Sequence, residues 1–512
     1  MKKIPFYPLL FAIFSTVAMF ASNIHEIEFS VILRPFFLAL AIGGLIFLII
    51  QFILRDWHKA ALLATLIILL FFTYGHIYDF LQQNLLFGLS LGRHRFLIFP
   101  FIVAGLSGGW LILKKARELK TWTQFLNLLS IIILILPTYQ VVAFSITTAR
   151  GNQQAKQVTV GDQSLTIPEN PPDIYYIILD SYTRADALKT DFKFDNSSFI
   201  EGLNNLGFYV AECSRSNYQF TEASLTASLN MDYLPELEAK IQSGKINVDE
   251  VWSLIKYSRV RQLLEGAGYH TITFRTGYEW SNIKDSDLYL RPSGSSSNLQ
   301  SIQPFETMLL KSTAFLILSD TQNKLLQKTI NNINYPFKNH ILETQFEFSK
   351  LPQIPSIRGS KFVFVHIIAP HIPFIFGPDG EILTDTGYYG GKKSYPINDE
   401  YYRKGYTGEV QYVNTQMLAI VKTLISESKN PPIIILQGDH GARKKNRNII
   451  LNAYYFPGAG NEALYSGITP VNSFRVLFNT YFNTHYDLLP DDSYDERTDS
   501  SIVPDPNPAC LP

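Results

Sequence analysis

Residues Pro431 to Arg443 read PPIIILQGDHGAR. Two prolines open the stretch, Ile433, Ile434, Ile435 and Leu436 follow without a polar break, and Gly438, Asp439, His440 and Gly441 close it. A short unbroken apolar run between chain breakers predicts a parallel strand buried on both faces. A buried acid beside an imidazole costs free energy unless something pairs with them. At the carboxyl end of such a strand, where open α/β sheets bind ligands, a cation suits both groups. The glycines permit a sharp turn and a close approach of backbone to ligand.

Two other segments end in the same way. Asp173 to Arg184 (DIYYIILDSYTR) follows Pro171-Pro172 and carries Asp180 at the end of its apolar run. Alone, Asp180 could cap the next helix; its repetition of the role of Asp439 makes it a metal-ligand candidate. Gly359 to Phe374 (GSKFVFVHIIAPHIPF) places His366 in the run and His371 in a loop stiffened by Pro370 and Pro373. Imidazole there can bind metal, contact an anion or pass protons.

Between these strands lies Ser216 to Leu234 (SNYQFTEASLTASLNMDYL). Hydroxyl and small residues open a stretch with apolar positions at helical spacing. A hydroxyl at a helix N-terminus, here Thr221, faces free N–H groups and the positive end of the dipole, which suits a nucleophile bearing negative charge and the anion it attacks. An N-cap threonine is the alternative. Further helices are expected over Phe194–Leu206, Val251–Glu265 and Glu409–Ser426 and from Thr469 onward. Further strands are expected over Gly207–Ala211, Tyr269–Phe274 and Ile449–Phe456. Strands alternating with helices predict a doubly wound, mostly parallel sheet with helices on both faces.

The 512 residues have zero formal net charge, which gives no electrostatic case for nucleic acid. Residues 1–148 are dominated by apolar runs near Ile4–Ala21, Ser30–Leu54, Ala60–Phe80, Arg95–Leu113 and Trp122–Ile146. Each approaches the ~20 residues that a bilayer requires, so a transmembrane anchor of about five helices is expected. Lys2 and Lys3, Arg55 and Lys59, and Lys114, Lys115, Arg117 and Lys120 fall on alternate junctions. The positive-inside rule then sets the amino terminus in the cytoplasm and residues 147 onward outside. If the first run were a cleaved signal peptide, four spans would remain and the large domain would still be outside. A linker is expected over 149–172, a catalytic domain over 173–490 and an irregular tail over 491–512. Tyr74, Gly75, His76, Tyr78 and Asp79 form a polar cluster at the outer end of the third span, explained either by an interfacial belt or by contact with a lipid head group. Phe305–Leu318 is apolar but too short to span; it is expected as a helix of the catalytic domain covering the sheet, with a place on the membrane surface as the alternative. Cys213 and Cys510, the only cysteines, can bridge outside the cytoplasm or stay as two unrelated thiols.

The ordered set of Asp180, Thr221-x-x-Ser224 about forty residues on, the His-Pro loop at His371, and Asp439-His440-Gly441 resembles the sulfatase-like branch of the alkaline phosphatase superfamily. It looks closest to the membrane-anchored phosphoethanolamine transferases and lipoteichoic acid synthases. The resemblance implies an alkaline-phosphatase-like three-layer fold over about residues 172–485. It implies one divalent metal, Zn or Mn by the chemistry of the donors, held by Asp180, Thr221, Asp439 and His440, with Thr221 as nucleophile. His371, with His366, would bind the anion and protonate the leaving oxygen; Arg184 and Arg275 would clamp the anion. Two departures stand out. Ala442 and Arg443 follow Asp-His-Gly where relatives usually carry an acid. Cys213-Ser-Arg-Ser-Asn also lacks the pattern from which sulfatases make formylglycine. Thr221 accordingly points to phosphoester head groups of a membrane lipid or envelope glycan as substrate. The alternatives are a non-catalytic envelope module that binds a glycan or partner, a sulfuric ester hydrolase, and a transporter, which the lack of an inverted repeat disfavours.

Overall fold

The computed structural model describes residues 4–84, 92–157, 165–235, 248–292, 303–320, 337–383, 399–442, 447–494 and 508–510. The chain divides into two units. One comprises residues 1–146 and 296–339, the other residues 147–295 and 340–512.

The first unit holds helices α1 (Tyr7–Ser22), α2 (Ser30–Leu54), α3 (Trp57–Gln83) and α4 (His94–Trp110), and most of α5 (Leu119–Gln157). Four of the helices are long and apolar enough to cross a membrane. The expected first span is shorter: α1 has 16 residues, about 24 Å against a hydrocarbon thickness of about 30 Å. Tyr7, Phe11, Ala60, Ala64 and Ile68 pack the interior of the bundle. Phe37, Phe52 and Leu106 point outward, as expected of helices solvated by lipid.

Residues 304–320 belong to this unit, which corrects the expectation that Phe305–Leu318 is a helix of the catalytic domain. Helix Pro304–Lys311 and the 3₁₀ turn Ala314–Asp320 pack on the bundle through Phe305 against Phe20 and Phe315 against Phe71. Arg34 and Glu306 form an ion pair. The Gly75 N–H donates to the Ser312 carbonyl at 3.1 Å. A Cβ on Gly75 would lie 2.3 Å from the Lys311 oxygen, so only glycine admits this approach. In the expected polar cluster, the Tyr74 hydroxyl bonds to His94 Nδ1 at 2.9 Å and Tyr78 stacks on His94.

The expected linker is helical at its start. α5 runs on through Gln157 because Ala, Arg, Gln and Lys are good helix formers. Ala155 is buried beside Tyr218 and Ala223 in the second unit. Residues 158–164 of that linker, residues 495–507 of the expected tail, and Arg443 lie outside the described residues.

Among the described residues, the second unit is built on seven strands: β1 (Ile174–Leu179), β2 (Tyr209–Val210), β3 (His270–Phe274), β4 (Leu288–Leu290), β5 (Lys361–Ile367), β6 (Ile433–Gly438) and β7 (Asn452–Tyr455). Their order is β2-β7-β6-β1-β5-β3-β4. β6-β1-β5-β3-β4 pair in parallel, and β7 pairs antiparallel with both β6 and β2. The central strands are buried along their whole length, which is why their sequences are continuously apolar rather than alternating. Tyr175, Ile177 and Leu179 face one core with helix Asp399–Glu427. Ile174, Tyr176 and Ile178 face the other with helices Thr221–Asn230 and Pro470–Tyr481. The sheet is thus the middle of three layers, as expected. The continuous helix expected over Val251–Glu265 is two, Val248–Lys256 and Arg259–Gly266, with Ser258 capping the second.

Candidate active site

Register brings the expected ligands together. Leu179 is aligned with Gly438 on one side and with Ile367 on the other. Asp180 and Asp439 therefore leave neighbouring strands at the same level. Ile178 is aligned with His366 and with Gln437. Since side chains alternate with period two, His366, Asp180 and Asp439 share one face of the sheet. Gly438 is required here: a Cβ would stand 2.4 Å from the Tyr182 carbonyl oxygen.

Asp180, His366, Asp439 and His440 are all buried, each no more than 5% exposed. His366 Nε2 lies 3.2 Å from Asp180 Oδ2. His440 Nε2 lies 3.7 Å from Asp180 Oδ1 and 3.7 Å from Asp439 Oδ2. Both of those carboxylate oxygens, together with His366 Nδ1 and His371 Nδ1, are buried without a hydrogen-bond partner. Orphaned buried acceptors are rare and demand an explanation. Donor atoms of Asp180, His371 and His440 lie within 4.8 Å of one another, as do those of Asp180, His366 and Asp439. The 3.7 Å separations approach the ligand–ligand edge of a tetrahedral centre with bonds of about 2.0–2.2 Å. The residues fit a divalent cation.

The surrounding bonds orient these donors. The Ser181 N–H donates to Asp439 Oδ1 at 2.8 Å, leaving Oδ2 to face the cluster. Ser181 achieves this with a left-handed backbone, φ 68°, a conformation that is strained for a residue with a Cβ. The Tyr406 hydroxyl braces the same turn, donating to the Ser181 carbonyl at 2.8 Å and accepting from the Thr183 N–H at 3.0 Å. His440 Nδ1 bonds to the Gly441 carbonyl at 2.7 Å. Such a bond fixes the tautomer, with the proton on Nδ1 and an unprotonated lone pair on Nε2. Burial raises the pKa of Asp180, but its electrostatic interactions with the neighbouring imidazoles of His371, His366 and His440 and the hydrogen bond from His366 outweigh it. They hold the carboxyl below its usual range.

Thr221 is the first residue of helix Thr221–Asn230 and is partly buried. The residues around it touch the cluster. Ser224 Oγ donates to the Asp439 carbonyl at 2.7 Å. The guanidinium of Arg447 covers the Phe220 ring at 5.3 Å, and its Nη2 donates to His440 Nε2 at 3.1 Å. His371, half-buried on its loop, faces His440 with ring centroids 6.1 Å apart.

The two expected anion clamps are engaged elsewhere. Arg184 makes a two-point pair with Asp186 at 2.8 Å and donates to the Ser214 carbonyl at 3.1 Å. Arg275 lies 3.3 Å from Glu343, and both are buried. Arg447, Ser181 and Tyr406 did not stand out in the sequence. A basic residue soon after Asp-His-Gly was the available signal for Arg447. Cys213 and Cys510 are disulfide-bonded, with a Cα–Cα separation of 5.3 Å.

No protein-family model matches the chain, and no curated protein matches it. Among solved structures it is similar to the zinc-complexed C-terminal periplasmic domain of EcEptC from Escherichia coli. That match has 11% identity over 67% of this chain and 96% of that one, with a TM-score of 0.40. It is similar to the phosphonate monoester hydrolase of Agrobacterium radiobacter at 12% identity, over 60% of this chain and 73% of that one, with a TM-score of 0.36. It is also similar to the integral membrane lipooligosaccharide phosphoethanolamine transferase A from Neisseria meningitidis. There the identity is 11% over 94% of this chain and 92% of that one, with a TM-score of 0.33.

Proposed function

We propose that this protein is a membrane-anchored, metal-dependent transferase or hydrolase of phosphoester head groups, acting outside the cytoplasm through a covalent threonine intermediate. The observation that supports it is the convergence of Asp180, Asp439 and His440, with the partnerless oxygens Asp180 Oδ1 and Asp439 Oδ2 facing His440 Nε2 at the ends of adjacent strands.

Asp180, Asp439, His440 and the Thr221 hydroxyl would hold one divalent cation, Zn or Mn by donor chemistry. Such an ion lowers the pKa of a nearby hydroxyl and polarises a phosphoryl oxygen. Thr221 stands where free N–H groups at the helix N-terminus favour negative charge on its oxygen. Having lost its proton to solvent, Thr221 Oγ attacks phosphorus in line. The new O–P bond forms as the bond from phosphorus to the leaving oxygen breaks. His371, half-exposed on its loop, gives the leaving oxygen a proton, and His366 orients Asp180 from beneath. An acceptor hydroxyl or water then displaces Thr221 from phosphorus. Membrane anchoring concentrates a lipid-borne donor.

Thr221→Ala tests this reading. The variant should keep its fold and lose at least ~10³-fold in turnover of an aryl phosphodiester. Turnover that survives unchanged would remove Thr221 from the chemistry. Elemental analysis of protein purified without chelator tests the metal. A preparation that holds no divalent ion would favour a non-catalytic binding module.

A further inference from the structure

We infer that Arg447 is the residue that takes the anionic oxygens of the substrate, and that metal binding frees it to do so. The inference rests on the reading above for the identity of the reacting anion.

Three observations carry it. First, the Arg447 guanidinium stands at the cluster itself: Nη2 is 3.1 Å from His440 Nε2. Its central carbon lies over the ring of Phe220, the residue that precedes Thr221, 5.3 Å from the ring centroid. A cation–π contact of this kind helps to hold a long side chain in one place. Second, Arg447 Nε is buried without a hydrogen-bond partner. A guanidinium donor left bare in such a place is suited to an incoming oxygen, and two neighbouring N–H groups match two oxygens of a phosphoryl group. Third, the arginines at the other strand ends are held by acids, Arg184 by Asp186 and Arg275 by Glu343. Their positive charge is already matched locally.

The contact with His440 adds a coupling. Because His440 Nδ1 bonds to the Gly441 carbonyl, the lone pair that Arg447 reaches is the one that a cation would use. One lone pair cannot serve both. Occupation of the metal site therefore withdraws the partner of Nη2, and Arg447 gains a second bare donor at the cluster. Anion binding is then linked to metal binding, and linkage is reciprocal.

Inorganic phosphate is the probe, titrated calorimetrically into full-length protein in detergent with and without Zn, alongside metal content by elemental analysis. In the parent, phosphate should bind at least tenfold more tightly with metal than without. Arg447→Gln should weaken phosphate binding in the metal-loaded protein at least tenfold while metal content stays at the parental level. Arg447→Lys, which keeps the charge but not the fork, should fall between the two. Phosphate affinity within twofold of the parent in both variants would overturn the inference. So would loss of metal from Arg447→Gln, since the arginine would then act on His440 rather than on the anion. The metal content and the Thr221→Ala turnover judge the catalytic reading separately. The ratio of phosphate affinities between parent and variants judges Arg447 whatever those results are.

Discussion

Ser224 and Asp439 are joined by a 2.7 Å hydrogen bond from the serine hydroxyl to the aspartate carbonyl, and both residues are buried. The bond fastens the first turn of helix Thr221–Asn230 to the end of β6, one turn away from Thr221. It acts on the main chain of Asp439 and leaves the carboxylate alone. Ser224→Ala should therefore lower stability by about 1–3 kcal/mol, the cost of leaving a buried acceptor unsatisfied. Metal content should hardly change, and turnover should fall more than stability alone requires, because Thr221, the proposed nucleophile, drifts. Thermal unfolding, elemental analysis and kinetics on the same preparation check this. Turnover equal to the parent would mean that the helix start is positioned by other contacts.

Much of this site was legible because its physical chemistry is local. Asp180, His366 and Asp439 announce themselves as ionisable groups at or near the ends of mainly apolar runs, and strand register does the rest. What could not be read depends on partners distant in sequence. Glu343, which takes Arg275, lies 68 positions along the chain, since 343 − 275 = 68. Phe305–Leu318 has the composition of a domain helix. Only the contacts with Phe20, Phe71 and Gly75 place it on the membrane bundle. The positive φ of Ser181 left no mark either, because serine gives no conformational warning of the kind that glycine gives.

Glu409 makes stability depend on pH in a direction opposite to that of an ordinary carboxylate. Burial pushes its pKa up to about 8, even though the Ile375 and Phe376 N–H groups donate to Oε1 and pull it down. Oε2 has no partner, as suits a protonated acid. The folded pKa lies above the unfolded one, so the native state holds the extra proton between about 4.5 and 8. Stability from this group is full below that window and is lost as pH rises through it. Glu409→Gln mimics the protonated form and should flatten the slope. Unfolding midpoints of parent and variant should diverge from pH 5 to pH 8, the variant becoming the more stable. Parallel midpoints would show that Glu409 titrates normally.

The disulfide from Cys213 to Cys510 closes a loop of 297 positions. Restricting so long a loop in the unfolded chain is worth about 2–5 kcal/mol when a native bridge is lost. Alkylation before reduction should label neither cysteine, and alkylation after reduction should label both. Cys213→Ser should lower the unfolding temperature and speed proteolysis near Cys510 while metal content stays at the parental level. Labelling of both thiols without reductant would refute the bridge.

Gly75 tests the place of residues 304–320. Its N–H bonds to Ser312, and any Cβ would collide with the Lys311 and Ser312 main chain. Backbone cannot yield as a flexible side chain can, so Gly75→Val has to push the segment off α3. That strips Phe305 and Phe315 from their aromatic partners on the bundle. The loss should be about 1–3 kcal/mol of stability, the range for overpacking a fitted contact. It should also bring faster proteolysis within 304–320 of protein in detergent. Glu306→Gln is the companion variant: it weakens the pair with Arg34 without adding volume, and should give the milder form of the same cleavage pattern. If Gly75→Val is cleaved no faster than the parent, the segment does not rest on α3.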